Sequence, residues 1–341
     1  MKITIIGLPQ AGQQELFSLL TGASLDNIRE RSLEVHQGIT EVKDPRITKL
    51  SEMYKPKKTT YARIEYLLIP DFNTTGQTKD VIFAQLKNAD EICWVTKYDN
   101  AENDIKSFLS ELIIYDTMLA EKRLDTIEKE QKRKFQESKE KEKMLMETCK
   151  GSLEKERPLK TAGLTPDQLK AIENYQFFTM KPVFIVVNVE EGKIKDTSLA
   201  KKISEVTPYP AIQLSAGIEQ EISTLDAADR ESFMKDLGIV EPAIHKMTMI
   251  AYSELGLISF FTVGEDEVRA WTVRRGASAP EAARAIHTDI EKGFVRAEMF
   301  KYDDLIAAGN EAKLKEQGKF YLKGKDYIVE DGDILSFRSS I

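Results

Sequence analysis

The opening fourteen residues place the tightest constraint on the fold. Residues 2–6 (Lys-Ile-Thr-Ile-Ile) are apolar and β-branched and read as a buried strand. Leu16, Phe17, Leu19 and Leu20 then give a helix one apolar face, which Gly22 is placed to end. The turn between them reads Gly7-Leu8-Pro9-Gln10-Ala11-Gly12-Gln13-Gln14. Two glycines in this spacing, between a strand and a helix, form the frame of the phosphate loop G-x-x-x-x-G-K-S/T. They let backbone N–H groups from Gly7 to Gly12 fold around an anion at a helix N-terminus. The lysine position, however, holds Gln13, and the hydroxyl position holds Gln14. The absent ammonium would neutralise the β- and γ-phosphates, and the absent hydroxyl would ligate Mg²⁺. Losing one preorganised oxyanion donor costs on the order of 10²–10³ in rate, so losing both groups predicts little hydrolysis. Taken alone, the segment fits an ordinary strand–turn–helix equally well.

Further short apolar runs follow at 64–69, 92–96, 183–187 and 211–214, separated by helical stretches. This alternation predicts an α/β domain with a largely parallel sheet covered on both faces. The run at 183–187 ends in Asn188-Val189-Glu190-Glu191. An asparagine at a strand's C-terminal end, with a carboxylate three residues on, is how N-x-x-D/E segments hold a purine. The amide reads the ring and the acid accepts from its donors. The next strand runs into Ser215-Ala216, whose backbone N–H groups can face the same base. Asn188 by itself is also an ordinary turn residue.

From about 100 to 177 no strand signal appears. Ile105, Phe108, Leu112, Tyr115 and Leu119 recur at helical spacing. Dense mixed charge around 128–143 then predicts a solvated helix laced with i,i+4 pairs. Thr165-Pro166-Asp167-Gln168 predicts an N-cap, a proline at the first helical position and a capping-box glutamine. The segment is expected to be a helical hairpin inserted into the α/β domain. After about 257 two strands, 260–263 and 268–273, precede a helix opened by Ser278 and Pro280. The stretch 327–337 reads as strand, Asp-Gly turn, strand. This predicts a small α+β domain. The expected division is 1–99 with 178–256, 100–177, and 257–341.

Composition removes several classes. A net charge of −7 over 341 residues gives no overall field toward nucleic acid. Cys93 and Cys149 lie far apart, and His36, His245 and His287 do not cluster, so neither a disulfide framework nor a zinc site is expected. No signal-peptide pattern and no membrane-length apolar run is present, so the cytoplasm is the expected compartment, with no membrane partner.

These motifs resemble the YchF family, the Obg-related P-loop NTPases that include the Obg-like ATPases, over essentially the whole chain. Gly7-Leu8-Pro9 with Gly12 is similar to that family's G-L-P-N-V-G-K-S loop. Asp44-Pro45-Arg46, Lys55-Pro56 and Asn188-Val189-Glu190-Glu191 match its D-P-R, K-P and N-x-x-E segments. Val268-Arg269-Ala270-Trp271-Thr272, His287-Thr288-Asp289, Glu291-Lys292-Gly293-Phe294 and Gly324-Lys325-Asp326-Tyr327 resemble its TGS domain, a β-grasp module. The resemblance implies a P-loop domain with an inserted coiled-coil arm and a TGS domain, ATP or GTP binding, slow Mg²⁺-dependent hydrolysis, and association with ribosomes or RNA. The nucleotide-binding residues it implies are Gly7, Pro9, Gln10, Ala11, Gly12, Gln13, Gln14, Asn188, Val189, Glu191, Ser215 and Ala216. The family's D-x-x-G segment falls on Leu68-Ile69-Pro70-Asp71, with Leu68 at the magnesium-linked aspartate and Asp71 at the glycine that meets the γ-phosphate. Ser32 falls near its switch threonine.

Three functions remain open at this point. The first is a nucleotide-binding protein with weak or absent hydrolysis. The second is a nucleotide-free adaptor that binds ribosome or RNA, with Arg274, Arg275, Arg284, Lys292 and Arg296 as a candidate basic patch. The third is an ATPase that recruits another lysine, from the arm or from 55–58. His287 and Trp271 read as structural residues.

Overall fold

The computed structural model describes residues 1–72, 78–133, 136–239 and 241–340. The strands are β1 (Lys2–Gly7), β2 (His36–Val42), β3 (Lys58–Thr60), β4 (Ala62–Leu68), β5 (Glu91–Lys97), β6 (Val183–Asn188), β7 (Ala211–Leu214), β8 (Leu257–Thr262), β9 (Glu267–Arg274), β10 (Phe294–Lys301), β11 (Tyr321–Lys323) and β12 (Asp333–Ser339). The helices used below are α1 (Gln13–Thr21), α2 (Leu25–Glu30), α3 (Pro45–Tyr54), α4 (Thr78–Lys87), α5 (Ala101–Arg133), α6 (Glu137–Leu153), α7 (Pro166–Ile172), α8 (Ser198–Val206) and α9 (Ala216–Thr224). No helix among the described residues is long and apolar enough to cross a membrane.

The chain forms two compact units. The first comprises 1–38 and 65–246, the second 39–64 and 247–341. One sheet has the order β2-β4-β1-β5-β6-β7, and β1 pairs parallel with both β4 and β5, as do β5 with β6 and β6 with β7. The apolar runs of β1, β5 and β6 are buried along their length, as expected for strands covered on both faces. Trp94 stacks on Phe108 with ring centroids 4.1 Å apart, and Phe72 meets both rings edge-on.

The apolar stripe of α5 serves two cores. Ile105, Phe108 and Leu112 join the main core, while Leu119 packs with Ala120, Ile127, Leu145 and Cys149 of the helical segment. Helices α5 and α6 run antiparallel, because Glu121, Glu128 and Glu130 meet Lys150, Lys143 and Lys139 in reversed order. The charge runs therefore pair between helices as well as at i,i+4. Asp116, fully buried on α5, closes the base of this segment. Its carboxylate accepts from the N–H groups of Phe178 (2.8 Å) and Thr179 (2.7 Å) and from the Thr179 hydroxyl (2.7 Å). The capping box that starts α7 forms as the sequence suggests.

In the second unit the sheet order is β11-β10-β12-β8-β9-β3. Residues 39–64 belong here, whereas the sequence had suggested the α/β domain for all of 1–99. Two physical ties explain the difference. Strand β3 pairs parallel with β9, and Ile47 and Leu50 of α3 pack with Phe261, Val268 and Ile334. Residues 247–256, expected with the α/β domain, also group with this unit. The segment 327–329 does not form the first arm of a hairpin. It makes one bridge, Ser278 to Ile328, because its backbone bonds go to Ala277 and Ala279 ahead of the helix at 279–286. Strand β12 pairs instead with β10 and β8. Strands β2, β3, β10 and β11 carried no sequence signal strong enough to name them.

Candidate functional site

Strands β1, β6 and β7 end on one edge of the parallel sheet, since Gly7 pairs with Val95, Lys97 with Asn188 and Asn188 with Leu214. Loops beyond the carboxyl ends of parallel strands are where open α/β sheets bind ligands. The glycine loop lies there. A Cβ on Gly7 would sit 2.5 Å from the Val95 carbonyl oxygen, and one on Gly12 would collide with Asn188 Nδ2. Gly12 also has φ 99°, so both loop glycines are required by space and one by backbone as well. Gln10 holds φ 63°, a left-handed conformation uncommon for a residue with a Cβ. The Ala11 N–H closes the turn on the Leu8 carbonyl at 3.1 Å. Pro9 and Gln10 form the exposed tip, while Ala11, Gly12 and Gln13 are buried and Gln14 is half-buried.

Asn188 ties this loop to the next. Its Nδ2 donates to the Ala11 carbonyl at 3.1 Å, and its Oδ1 accepts from the Ala216 N–H at 3.0 Å. Ser215 caps α9, its hydroxyl accepting from the Ile218 N–H. Val189 is buried in the main core and donates its N–H to the Leu214 carbonyl at 2.9 Å. Glu191 is exposed at the start of a short turn, 191–193. The structure thus gathers Gly7 to Gln14, Asn188, Ser215 and Ala216 at one place, and sets Val189 into the core beneath it. The bracing role of Asn188 was not legible in the sequence, because its loop partner lies 177 residues away.

Gln13 is 2% exposed and folds across the loop. Its Nε2 donates to the Leu8 carbonyl at 3.1 Å and to the Asp71 carboxylate. Its Oε1 is buried without a hydrogen-bond partner. Burial pushes the Asp71 carboxyl above the ordinary carboxylate range. The Gln13 hydrogen bond opposes that shift, and the charge of Glu15 adds to it. Leu68 is a buried apolar residue of β4. Ser32 lies exposed between α2 and β2.

The other candidates sit elsewhere. His36 contacts the Arg31 carbonyl and the Phe17 ring. His287 begins the helix at 288–292, its Nδ1 accepting from the Asp289 N–H. Trp271 is half-buried, donates Nε1–H to Thr262 at 3.0 Å and lies under Arg269. Lys57 and Lys58 pair with Asp266 and Glu267 in the second unit. Of the basic patch, Arg284 and Lys292 have acidic neighbours, Glu291 and Asp289, while Arg274, Arg275 and Arg296 are exposed. Among the described residues no group of three His, Cys, Asp or Glu side chains is placed to hold a metal ion.

Known proteins resemble this chain along its full length. A family profile described as YchF-GTPase_C, a protein of unknown function, matches residues 257–340. The ribosome-binding ATPase YchF of Bacillus subtilis (strain 168) is 34% identical, over 99% of this chain and 98% of that protein. The protein of the same name from Haemophilus influenzae is also 34% identical, over 100% and 99%. Among solved structures, the Schizosaccharomyces pombe YchF GTPase superposes with a TM-score of 0.87 at 28% identity, over 99% of this chain and 97% of that one.

Proposed function

Because this chain belongs to the YchF family, we propose that it binds a purine nucleotide at the glycine loop, associates with ribosomes, and hydrolyses nucleotide weakly or not at all. The observation that carries the nucleotide reading is the Asn188 brace, which joins the phosphate loop to the Ser215-Ala216 turn. It ties the loop of amides to the turn that starts α9, with the Ala216 N–H spent on Asn188, which leaves the base to Asn188 Nδ2 and Glu191. The first-turn amides of α1 supply the donors for phosphate. Asn188 has one Nδ2 proton left for the base, and Glu191 is exposed three residues on to accept from it. The family resemblance implies ATP or GTP as the ligand.

The residues do not fit Mg²⁺. Position 14 offers a neutral amide on a longer side chain, and position 68 offers buried leucine. Without the lysine ammonium there is no positive side chain at position 13 to neutralise charge on a transferring phosphoryl group. In this reading α5 and α6 form the family's coiled-coil arm and 257–341 its TGS domain, the two parts that meet the ribosome.

Titration calorimetry with ATP, ADP, GTP and GDP, with and without Mg²⁺, tests the proposal. Binding with little Mg²⁺ dependence and negligible turnover is expected. Absence of heat and of any thermal shift at millimolar nucleotide would remove the nucleotide reading. A nucleotide-free adaptor is the second reading, and one observation favours it: the Gln13–Asp71 hydrogen bond closes the loop on the protein itself. Co-sedimentation with ribosomes in the absence of any nucleotide would then be the outcome.

A further inference from the structure

Resting on the reading of this loop as a nucleotide site, we infer that Gln13 and Asp71 form an internal latch standing where a terminal phosphate would sit, so that the site takes purine nucleoside diphosphates and rejects triphosphates. The argument starts from position 13. It is the first residue of α1, a nine-residue helix capped by Gly12, and the end of its side chain is the part of a phosphate loop that reaches the β- and γ-phosphates. Here that end is a primary amide. Both protons of Nε2 are committed, one to Leu8 and one to Asp71, so no donor remains for an incoming phosphate. The other terminal atom, Oε1, is an acceptor buried against Gly7 and adds no donor.

Asp71 meets the same side chain from the segment after β4 and is held there by its neighbours. The Phe72 N–H donates to the Gly7 carbonyl at 2.8 Å, and the Ile69 N–H donates to the Ile5 carbonyl at 3.3 Å. The carboxylate therefore sits on a segment hydrogen-bonded along β1 and the loop. Glu15 adds a second acidic group in the first turn of α1, and its own cation, Arg29 at 2.7 Å, lies on α2. A terminal phosphate would meet the Asp71 carboxylate where an ammonium usually waits. The first-turn amides of α1 are still available to the inner phosphates.

The test is calorimetry of the full chain with ADP, ATP, GDP and GTP, on the natural protein and on Asp71→Asn, Asp71→Gly and Gln13→Lys. Asp71→Asn keeps the shape and removes the charge, so it remains informative if the glycine variant fails to fold. The natural protein is expected to bind diphosphate at least about tenfold tighter than triphosphate, a difference of about 1.4 kcal/mol. Asp71→Asn should erase most of that ratio by a gain for triphosphate alone. Triphosphate binding as tight as diphosphate, or a ratio unchanged by Asp71→Asn, overturns the latch and leaves nucleotide binding standing. No diphosphate binding by the natural protein, even with triphosphate binding gained in the Asp71 variants, overturns the diphosphate site. Silence from every variant overturns both.

Discussion

Replacing Asn188 with alanine should loosen the candidate site and the first unit together. The change deletes two hydrogen bonds, 3.1 Å to the Ala11 carbonyl and 3.0 Å from the Ala216 N–H. Each such bond contributes about 1 kcal/mol net, and a partner left dry costs somewhat more. Ala11 and Ala216 are both buried, so water does not freely replace the lost amide. A loss of about 2–3 kcal/mol follows, which lowers the melting temperature of a unit this size by roughly 4–12 °C. Trp94, buried in the same unit, reports the transition by fluorescence once Trp271 is replaced by phenylalanine. Hydrogen exchange at the Ala216 amide separates the two bonds. Asn188→Ala should expose that amide, whereas Asn188→Asp retains its acceptor and should leave it protected while still losing the Ala11 contact. Melting within about 1 °C of the natural protein, with unchanged Ala216 exchange, would refute the brace.

Other expectations follow from the same geometry. Burial pushes the Asp116 carboxyl from 3.8 up to about 6, against three hydrogen bonds that pull it down. A folded-state value above the unfolded one means the folded chain holds the proton more tightly, so ionisation costs stability. The contribution of this carboxyl is greatest below about pH 4 and is lost as pH rises to about 6, a swing of about 3 kcal/mol. Cys149, pushed up to about 11, does not titrate in that window. Urea midpoints between pH 4 and 7 for the natural protein and Asp116→Asn check this, the variant losing the pH-dependent part. In the second unit Arg46 binds Asp44 and Asp331, the latter at 2.6 Å, and lies over the Phe261 ring. Arg46→Lys forfeits the forked contacts and should cost about 1–3 kcal/mol, read from the unfolding of Trp271. If the second unit meets ribosomal RNA, replacing Arg274, Arg275 and Arg296 with alanine should weaken co-sedimentation and flatten its salt dependence by roughly one unit of slope per lost phosphate contact. Unchanged sedimentation would assign binding to other residues.

Much of the first unit was legible because its signals are local. The runs at 92–96, 183–187 and 211–214 became β5, β6 and β7, and Gly22 ends α1 with φ 71°. Strands β2 and β3 were not legible. Strand β2 alternates half-buried and exposed residues with few strong strand formers, and β3 is three residues long. The hairpin expected at 327–337 failed for a related reason: turn chemistry at Asp331-Gly332 was present, but it does not say which strand the following residues join.

The sequence by itself determined the frame of the site. Two glycines between a β-branched run and an amphipathic helix permit one kind of loop, and Gln13 and Gln14 declare the absent ammonium and hydroxyl. Only the tertiary structure decided what those side chains do. That Asn188 braces Ala11, that Gln13 meets Asp71 and that residues 39–64 join the C-terminal sheet depend on contacts between segments 58 to more than 200 residues apart. Local propensity carries no information about such pairings. They are selected by burial and by the need of each buried polar group for a partner.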